Sequence, residues 1–333
     1  MARIALDMMG SDYGAKNFIQ GLKLFMKENK EDTFIAFGKK EELKELENNP
    51  RIEIVDCEQI VPMEVSVLSF LRMKESSMYK AILAVKENKV DALVTAGSTP
   101  GFLTGSTLLL KNIENVKRAG FCSPFPTLIK GKETCILDIG ASNTNTSEEL
   151  IGFAKLGALY SKEILNNTNP SIYLLSNGIE EGKGLEESVE AYKKLKESNL
   201  NFKGNVEARE ALDGNHDVIV STGYPGNIFL KATEGCALMM NKMIKAAFKR
   251  NIFSKIGYLL AKKGFDEMKA TMDYRKTGGA ILLGINGVAI KAHGNADPKF
   301  IYYSLKLADK MINKDIVNKI KKEFSNTLWV KTV

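Results

Sequence analysis

Short apolar runs ending in a glycine- or Asx-containing turn, or a short loop, recur along the chain at residues 4–6, 34–37, 52–55, 92–94, 135–137, 172–175 and 218–220. Runs of this length bounded by turn signals predict strands. Between them, apolar positions recur at helical spacing over residues 15–28, 76–88, 150–165 and 185–197. The alternation predicts an α/β fold with a mostly parallel sheet and helices on both faces. Ligands of such sheets collect beyond the carboxyl ends of the strands. One further apolar run, 288–290, ends in Lys291-Ala292-His293-Gly294, within a glycine-punctuated block that begins at Gly278. Glycine there lets backbone N–H groups approach an anion closely, while Lys291 and His293 can supply charge and a proton.

Other predicted strand ends carry similar residues. Asp7 and Asp12 flank Gly10, Gly97 lies in Thr95-Ala96-Gly97-Ser98, and Gly140 follows Asp138. Residues 204–210 and 221–227 read as two more strand-to-glycine junctions. None is a GxGxxG or GxxxxGK[ST] turn. Several such loops on one open sheet predict a shared anion-binding cleft, since N–H groups at helix N-termini bind phosphate without a dedicated motif. No repeat or low-complexity linker interrupts the pattern, so residues 1–333 are expected to form one α/β domain with a basic amphipathic helical segment at about 238–270.

Composition narrows the function classes. The 333 residues are 44% hydrophobic and 26% charged, ordinary globular values. No apolar run is long enough to cross a membrane, and the first residues read as a strand rather than a signal peptide, so a cytoplasmic location is expected. Cys57, Cys122, Cys135 and Cys236 are scattered without CxxC spacing, which predicts single buried thiols and neither a zinc site nor disulfides. No metal and no cofactor are called for. The net charge is +7, and much of it lies between Lys242 and Lys269, a patch suited to acidic partners. Aromatic–basic interleaving is missing, which argues against nucleic acid.

Several blocks in shared order resemble the PlsX family of phosphate acyltransferases. They include Arg3-Ile4-Ala5-Leu6-Asp7, Met9-Gly10 and Asp12, Lys74 with Ser76-Ser77-Met78, and Leu137-Asp138-Ile139-Gly140-Ala141. Further matches are Gly178, Glu180 and Lys183-Gly184, then Gly204-Asn205-Val206-Glu207-Ala208-Arg209. Gly226-Asn227 through Leu230-Lys231, Glu234-Gly235, and the Gly278 to Gly294 block complete them. The resemblance implies a three-layer α/β/α sandwich like those of isopropylmalate dehydrogenase and phosphotransacetylase, usually as a homodimer. It implies transfer of an acyl group from acyl carrier protein to inorganic phosphate for phospholipid synthesis. The product would feed a membrane glycerol-3-phosphate acyltransferase. Four loops depart from the family pattern, at Ser11-Asp12-Tyr13-Gly14-Ala15, Ser98-Thr99-Pro100, Ser142-Asn143-Thr144 and Thr222-Gly223-Tyr224-Pro225. The alternatives are a short-chain phosphotransacylase using coenzyme A or another thioester, or a non-catalytic acyl- or carrier-binding scaffold.

Phosphate is already an oxyanion near neutral pH, so the chemistry needs cationic and N–H donors rather than a strong base. A donor for the tetrahedral oxyanion and an acid for the leaving thiolate complete the requirement. His293 and Lys183 are the candidate catalytic residues. Asn205, Arg209, Gly226, Asn227, Lys231 and Lys291 are the candidates for holding phosphate or substrate. Glu207 and Arg209 can equally form a structural ion pair, and His216 reads as a surface residue. No Ser-His-Asp set or GxSxG elbow is present, which argues against a covalent acyl-enzyme. In the basic segment, apolar positions including Ile252, Phe253 and Ile256 form a lysine-flanked stripe. Such a stripe fits an anionic membrane surface or a dimer interface, and the family resemblance implies peripheral membrane association.

Overall fold

The computed structural model describes residues 1–271 and 273–325. The strands are β1 (Arg3–Asp7), β2 (Thr33–Gly38), β3 (Ile52–Asp56), β4 (Ala92–Thr95), β5 (Gly120–Pro126), β6 (Glu133–Leu137), β7 (Ile172–Ser176), β8 (Phe202–Glu207), β9 (Val218–Val220), β10 (Ala280–Leu283) and β11 (Val288–Lys291). They form one sheet in the order β3-β2-β1-β4-β11-β10-β5-β6-β9-β7-β8. The helices are α1 (Ala15–Glu28), α2 (Val67–Arg72), α3 (Ser77–Lys86), α4 (Thr99–Gly105), α5 (Ser147–Glu163), α6 (Glu186–Lys196), α7 (Gly223–Lys249), α8 (Ile252–Thr271), α9 (Pro298–Asn313) and α10 (Ile316–Ser325).

Strand alternation divides the core between the two faces. Ile4, Leu6, Val94 and Ile290 pack with Phe18 and Leu22 of α1, Phe153 of α5 and Phe300 and Leu305 of α9. Ala5, Leu93 and Ala289 turn the other way, toward Met78 and Ile82 of α3 and Phe102 of α4. The result is the expected three layers. Every apolar run read as a strand lies in one. Three further strands are not among those runs: β10 has the same pattern, an apolar run from Ala280 to Leu283 ending at Gly284, while β5 and β8 lack it. In β5, Pro124 and Pro126 argue against a strand, yet β10 pairs with β5 only over Gly120–Cys122. The prolines therefore stand where that side of β5 has no ladder to serve.

Pairing is parallel except where β10 joins β11, β10 joins β5, and β5 joins β6. These reversals turn the second half of the sheet against the first. One register row runs Leu6–Val94–Ile290–Ile281–Cys122–Leu137–Val220–Leu174. The next residues of β1, β4 and β11 lie beyond one side of that row, and those of β6, β9 and β7 beyond the other. The strand ends expected to share one cleft are thus divided between two edges of the sheet.

Helix α7 connects those edges. Thr222 precedes it, two residues after the end of β9, and Glu234 lies about 18 Å further along the helix axis. A Cβ on Gly223 or Gly226 would run into the Ser142 and Asp138 carbonyl oxygens, respectively. Glycine at these positions brings the helix directly onto the loop that follows β6. The basic amphipathic helical segment expected at about 238–270 spans the distal part of α7 and nearly all of α8. Asn251 breaks it, accepting hydrogen bonds from Ser254 N and Oγ at 2.8 and 3.0 Å to cap α8. Phe248 packs on Tyr258 and Phe265 inside this pair of helices.

Candidate functional site

Alternation places three polar side chains side by side. Because Leu6, Val94 and Ile290 point into one core, Asp7, Thr95 and Lys291 point to the opposite face. They are direct register partners across β1, β4 and β11. Asp7 is almost fully buried. It accepts hydrogen bonds from Ser77 Oγ at 2.6 Å, Thr95 Oγ1 at 2.7 Å and Met9 N at 3.3 Å. Burial pushes its carboxyl above the usual range, against the pull of Ser77, Thr95, Met9 N and the Lys291 charge.

Lys291 supplies the matching cation. Its Nζ donates to Ala292 O at 2.5 Å. Burial pushes its ammonium down to about 8, opposed by Asp7 and Asp12 and assisted by Lys231. Asp12 reaches the same place because its N–H donates to Gly294 O at 2.9 Å. A Cβ on Gly294 would stand 3.2 Å from Asp12 Oδ1, so the two loops lie against each other.

From α7, Glu234 bridges two of the expected site residues. Its Oε1 is 3.2 Å from His293 Nε2 and its Oε2 is 3.2 Å from Lys231 Nζ. The hydrogen bond with His293 is the largest influence holding the Glu234 carboxyl below its usual range. The His293 ring also meets Phe300 edge-on at 5.7 Å. Three of the expected residues, Lys231, Lys291 and His293, therefore assemble, together with Asp7, Asp12 and Glu234.

The other expected residues stand at the opposite edge. Gly226 packs on Asp138, and Asn227 lies beside Gly140, where a Cβ would be 3.2 Å from that of Asn227. Asp138 organises the loop. It accepts from Phe121 N, Gly140 N, Ala141 N, Ser142 N and Ser142 Oγ at 2.8–3.0 Å. Burial nevertheless leaves its carboxyl above the usual range. Asn145 Oδ1 accepts from Ser142 Oγ and Gly223 N, which fastens the start of α7 to this loop.

Asn205 lies within β8 rather than in a turn after it. Gly204, at φ 119°, permits a bulge in which Tyr173 pairs with Gly204 directly after Ile172 pairs with Phe202. The Asn205 amide donates to Glu180 O at 2.7 Å and so braces the loop that carries exposed Lys183. Arg209 is exposed and pairs with Glu207 at 2.6 Å, the structural alternative its sequence context allowed. Among the described residues, no hydrogen bond or ion pair joins Lys183, Asn205 or Arg209 to the His293 cluster.

Two expectations are corrected. His216 is buried, its ring packed on Tyr173 at 4.5 Å and its Nδ1 3.1 Å from Asp213 Oδ1, because the 213–217 turn folds over the start of β9. The thiols are not all isolated and buried: Cys122 and Cys135 sulfurs are 3.0 Å apart across β5 and β6, and Cys236 is exposed.

A family model described as "Fatty acid synthesis protein" matches residues 2–319. The chain is 38% identical over 331 residues to a phosphate acyltransferase of Mesoplasma florum, with 98% of this chain and 100% of that protein covered. It is 39% identical over 328 residues to a phosphate acyltransferase of Mycoplasma capricolum, with 97% and 98% covered. A phosphotransacetylase structure from Streptococcus pyogenes matches with a TM-score of 0.62 at 16% identity over 94% of each chain. A branched-chain phosphotransacylase from Enterococcus faecalis matches with a TM-score of 0.57 at 14% identity, over 94% of this chain and 100% of that one. At these identities the two structures speak for the fold.

Proposed function

The chain belongs to the phosphate acyltransferase family, and from that premise we propose that it transfers a long-chain acyl group from acyl carrier protein to inorganic phosphate beside the Asp7–Thr95–Lys291 row. The observation that carries this reading is the meeting of Lys291, Lys231 and His293 at one strand-end cluster. A phosphate oxygen attacks the thioester carbonyl carbon, the carbonyl electrons move onto oxygen, and their return breaks the C–S bond. Lys291 and Lys231 hold the phosphate charge, and His293 gives a proton to the departing thiolate. Asp7 keeps Lys291 in place rather than activating the nucleophile. Lys183 and Arg209, on the far edge, are left to contacts with the donor. The products are acyl phosphate and the free thiol of the carrier, and the acyl phosphate passes to a membrane glycerol-3-phosphate acyltransferase.

The donor is tested by following thiol release with phosphate and either palmitoyl-carrier protein or acetyl-coenzyme A. Release with the long-chain carrier alone supports the reading. Release only with acetyl-coenzyme A contradicts the donor assignment.

The same reading places the enzyme, as a homodimer, on the inner face of the plasma membrane through α7 and α8. Phe253 is 79% exposed and Leu260 84%, with Ile252 and Ile256 also exposed among the lysines of this region. No helix among the described residues is long and apolar enough to cross a membrane. Each lysine near an anionic surface contributes about 1 kcal/mol, so binding should be reversible and salt-sensitive. The protein is expected to sediment with phosphatidylglycerol vesicles at low salt and not with phosphatidylcholine. Phe253→Glu should abolish sedimentation; a variant that keeps it but becomes monomeric would assign the stripe to the subunit interface.

A further inference from the structure

We propose that Glu234 is a positioning residue that fixes the His293 imidazole through Nε2 and keeps Lys231 beside it, an assignment that rests on the acyl-transfer reading above. Lys231 and Glu234 are three residues apart on α7 and so share one helix face. One carboxylate oxygen serves each cation, at 3.2 Å in both cases. A histidine whose one ring nitrogen is held by a carboxylate has its tautomer and ring orientation set by that contact. On its other side the ring is limited by Phe300, a buried residue of α9, at an interplanar angle of 84°. His293 is thus gripped between two helices, yet its side chain remains 38% exposed.

The grip depends on where α7 is rooted. Gly223 and Gly226 press the helix onto Ser142 and Asp138, and Asn145 Oδ1 accepts from Gly223 N at 3.1 Å. From that root the rigid helix carries Glu234 to the opposite edge of the sheet. Leu238, Met239, Met240 and Met243 are all exposed, so Glu234 sits close to where α7 leaves the body of the protein. Its carboxylate has a second conceivable role, as an internal stand-in for phosphate between two cations. That role predicts the opposite kinetic effect.

Glu234→Met removes the acceptor while keeping side-chain length and helix preference, and Glu234→Gln restores an oxygen for Nε2–H. With palmitoyl-carrier protein and phosphate, Glu234→Met is expected to lower kcat at least tenfold while the KM for phosphate changes less than twofold. Glu234→Gln should recover most of that loss. The chain has only two histidines, so the His293 signals in imidazole nitrogen spectra are assigned by their disappearance in His293→Ala. Those spectra should lose their preference for the Nε2–H tautomer in Glu234→Met and regain it in Glu234→Gln. A lower KM for phosphate in both variants would mean that the carboxylate competes with substrate and would overturn the proposal. So would an unchanged kcat with an unchanged imidazole signature. If the parent protein releases no thiol with any donor, the acyl-transfer reading fails, and the spectra still decide the Glu234–His293 contact.

Discussion

Lys291→Met is expected to reduce kcat/KM for phosphate about ten- to hundredfold, the range expected for losing a charged hydrogen bond of roughly 1.5–3 kcal/mol. The KM for the acyl donor should move much less. The reason is local. Lys291 ends β11 directly beside Thr95, in a row whose other member, Asp7, is buried and hydrogen-bonded. Its ammonium faces Asp7, Asp12 and Lys231 and is lowered by burial to about 8. The charge is therefore present below about pH 8 and is lost as pH rises through that value. The parent enzyme should lose phosphate affinity on that alkaline limb. Lys291→Arg, with a guanidinium that stays charged, should retain phosphate affinity to higher pH than the parent at some cost in kcat. An alkaline limb that is the same in Lys291→Arg would assign it to another group.

Asp138→Ala should be strongly destabilising, by about 3 kcal/mol or more, since each buried donor left without its acceptor costs about 1–3 kcal/mol. Five donors converge on this carboxylate, and truncation leaves four backbone N–H groups and the Ser142 hydroxyl without it. A loss of that size is a large part of a typical folding free energy, so the denaturation midpoint should fall sharply. Asp138→Asn should be intermediate. Its amide oxygen can serve Phe121, Gly140 and Ala141, while its NH2 is turned on the Ser142 N–H. Equal midpoints for the parent and Asp138→Ala would show that the loop and the α7 root do not depend on this residue.

The sheet was legible because burial on both faces leaves continuous apolar runs, as at residues 4–6 and 92–94. The polar strand β8 and the proline-bearing β5 were not, since register and a missing neighbour decide them rather than local pattern. His293 and Lys291 could be read from a glycine-rich strand end. Asp7 was available from the same logic: it follows the run 4–6 at the period that turns side chains to the other face. Glu234 owes its position to α7 crossing the sheet and to a contact with His293, 59 residues away, which no spacing along the chain reveals, whereas the bonds from Gly140, Ala141 and Ser142 to Asp138 are local and only that from Phe121 is not. The division of strand ends between two edges follows from three antiparallel pairings. A strand–helix rhythm carries no sign of that reversal, so it places Lys183 and Arg209 with His293 although the register separates them.

Inorganic phosphate, rather than water, is the acyl acceptor in the proposed reaction. Purified protein incubated with palmitoyl-carrier protein and isotopically labelled inorganic phosphate should form palmitoyl phosphate carrying the label, in equal amount to the thiol released. The product should convert to palmitoyl hydroxamate on addition of hydroxylamine. Release of thiol with free palmitate as the only product, and no label in the lipid, would show that water rather than phosphate attacks and would contradict the account.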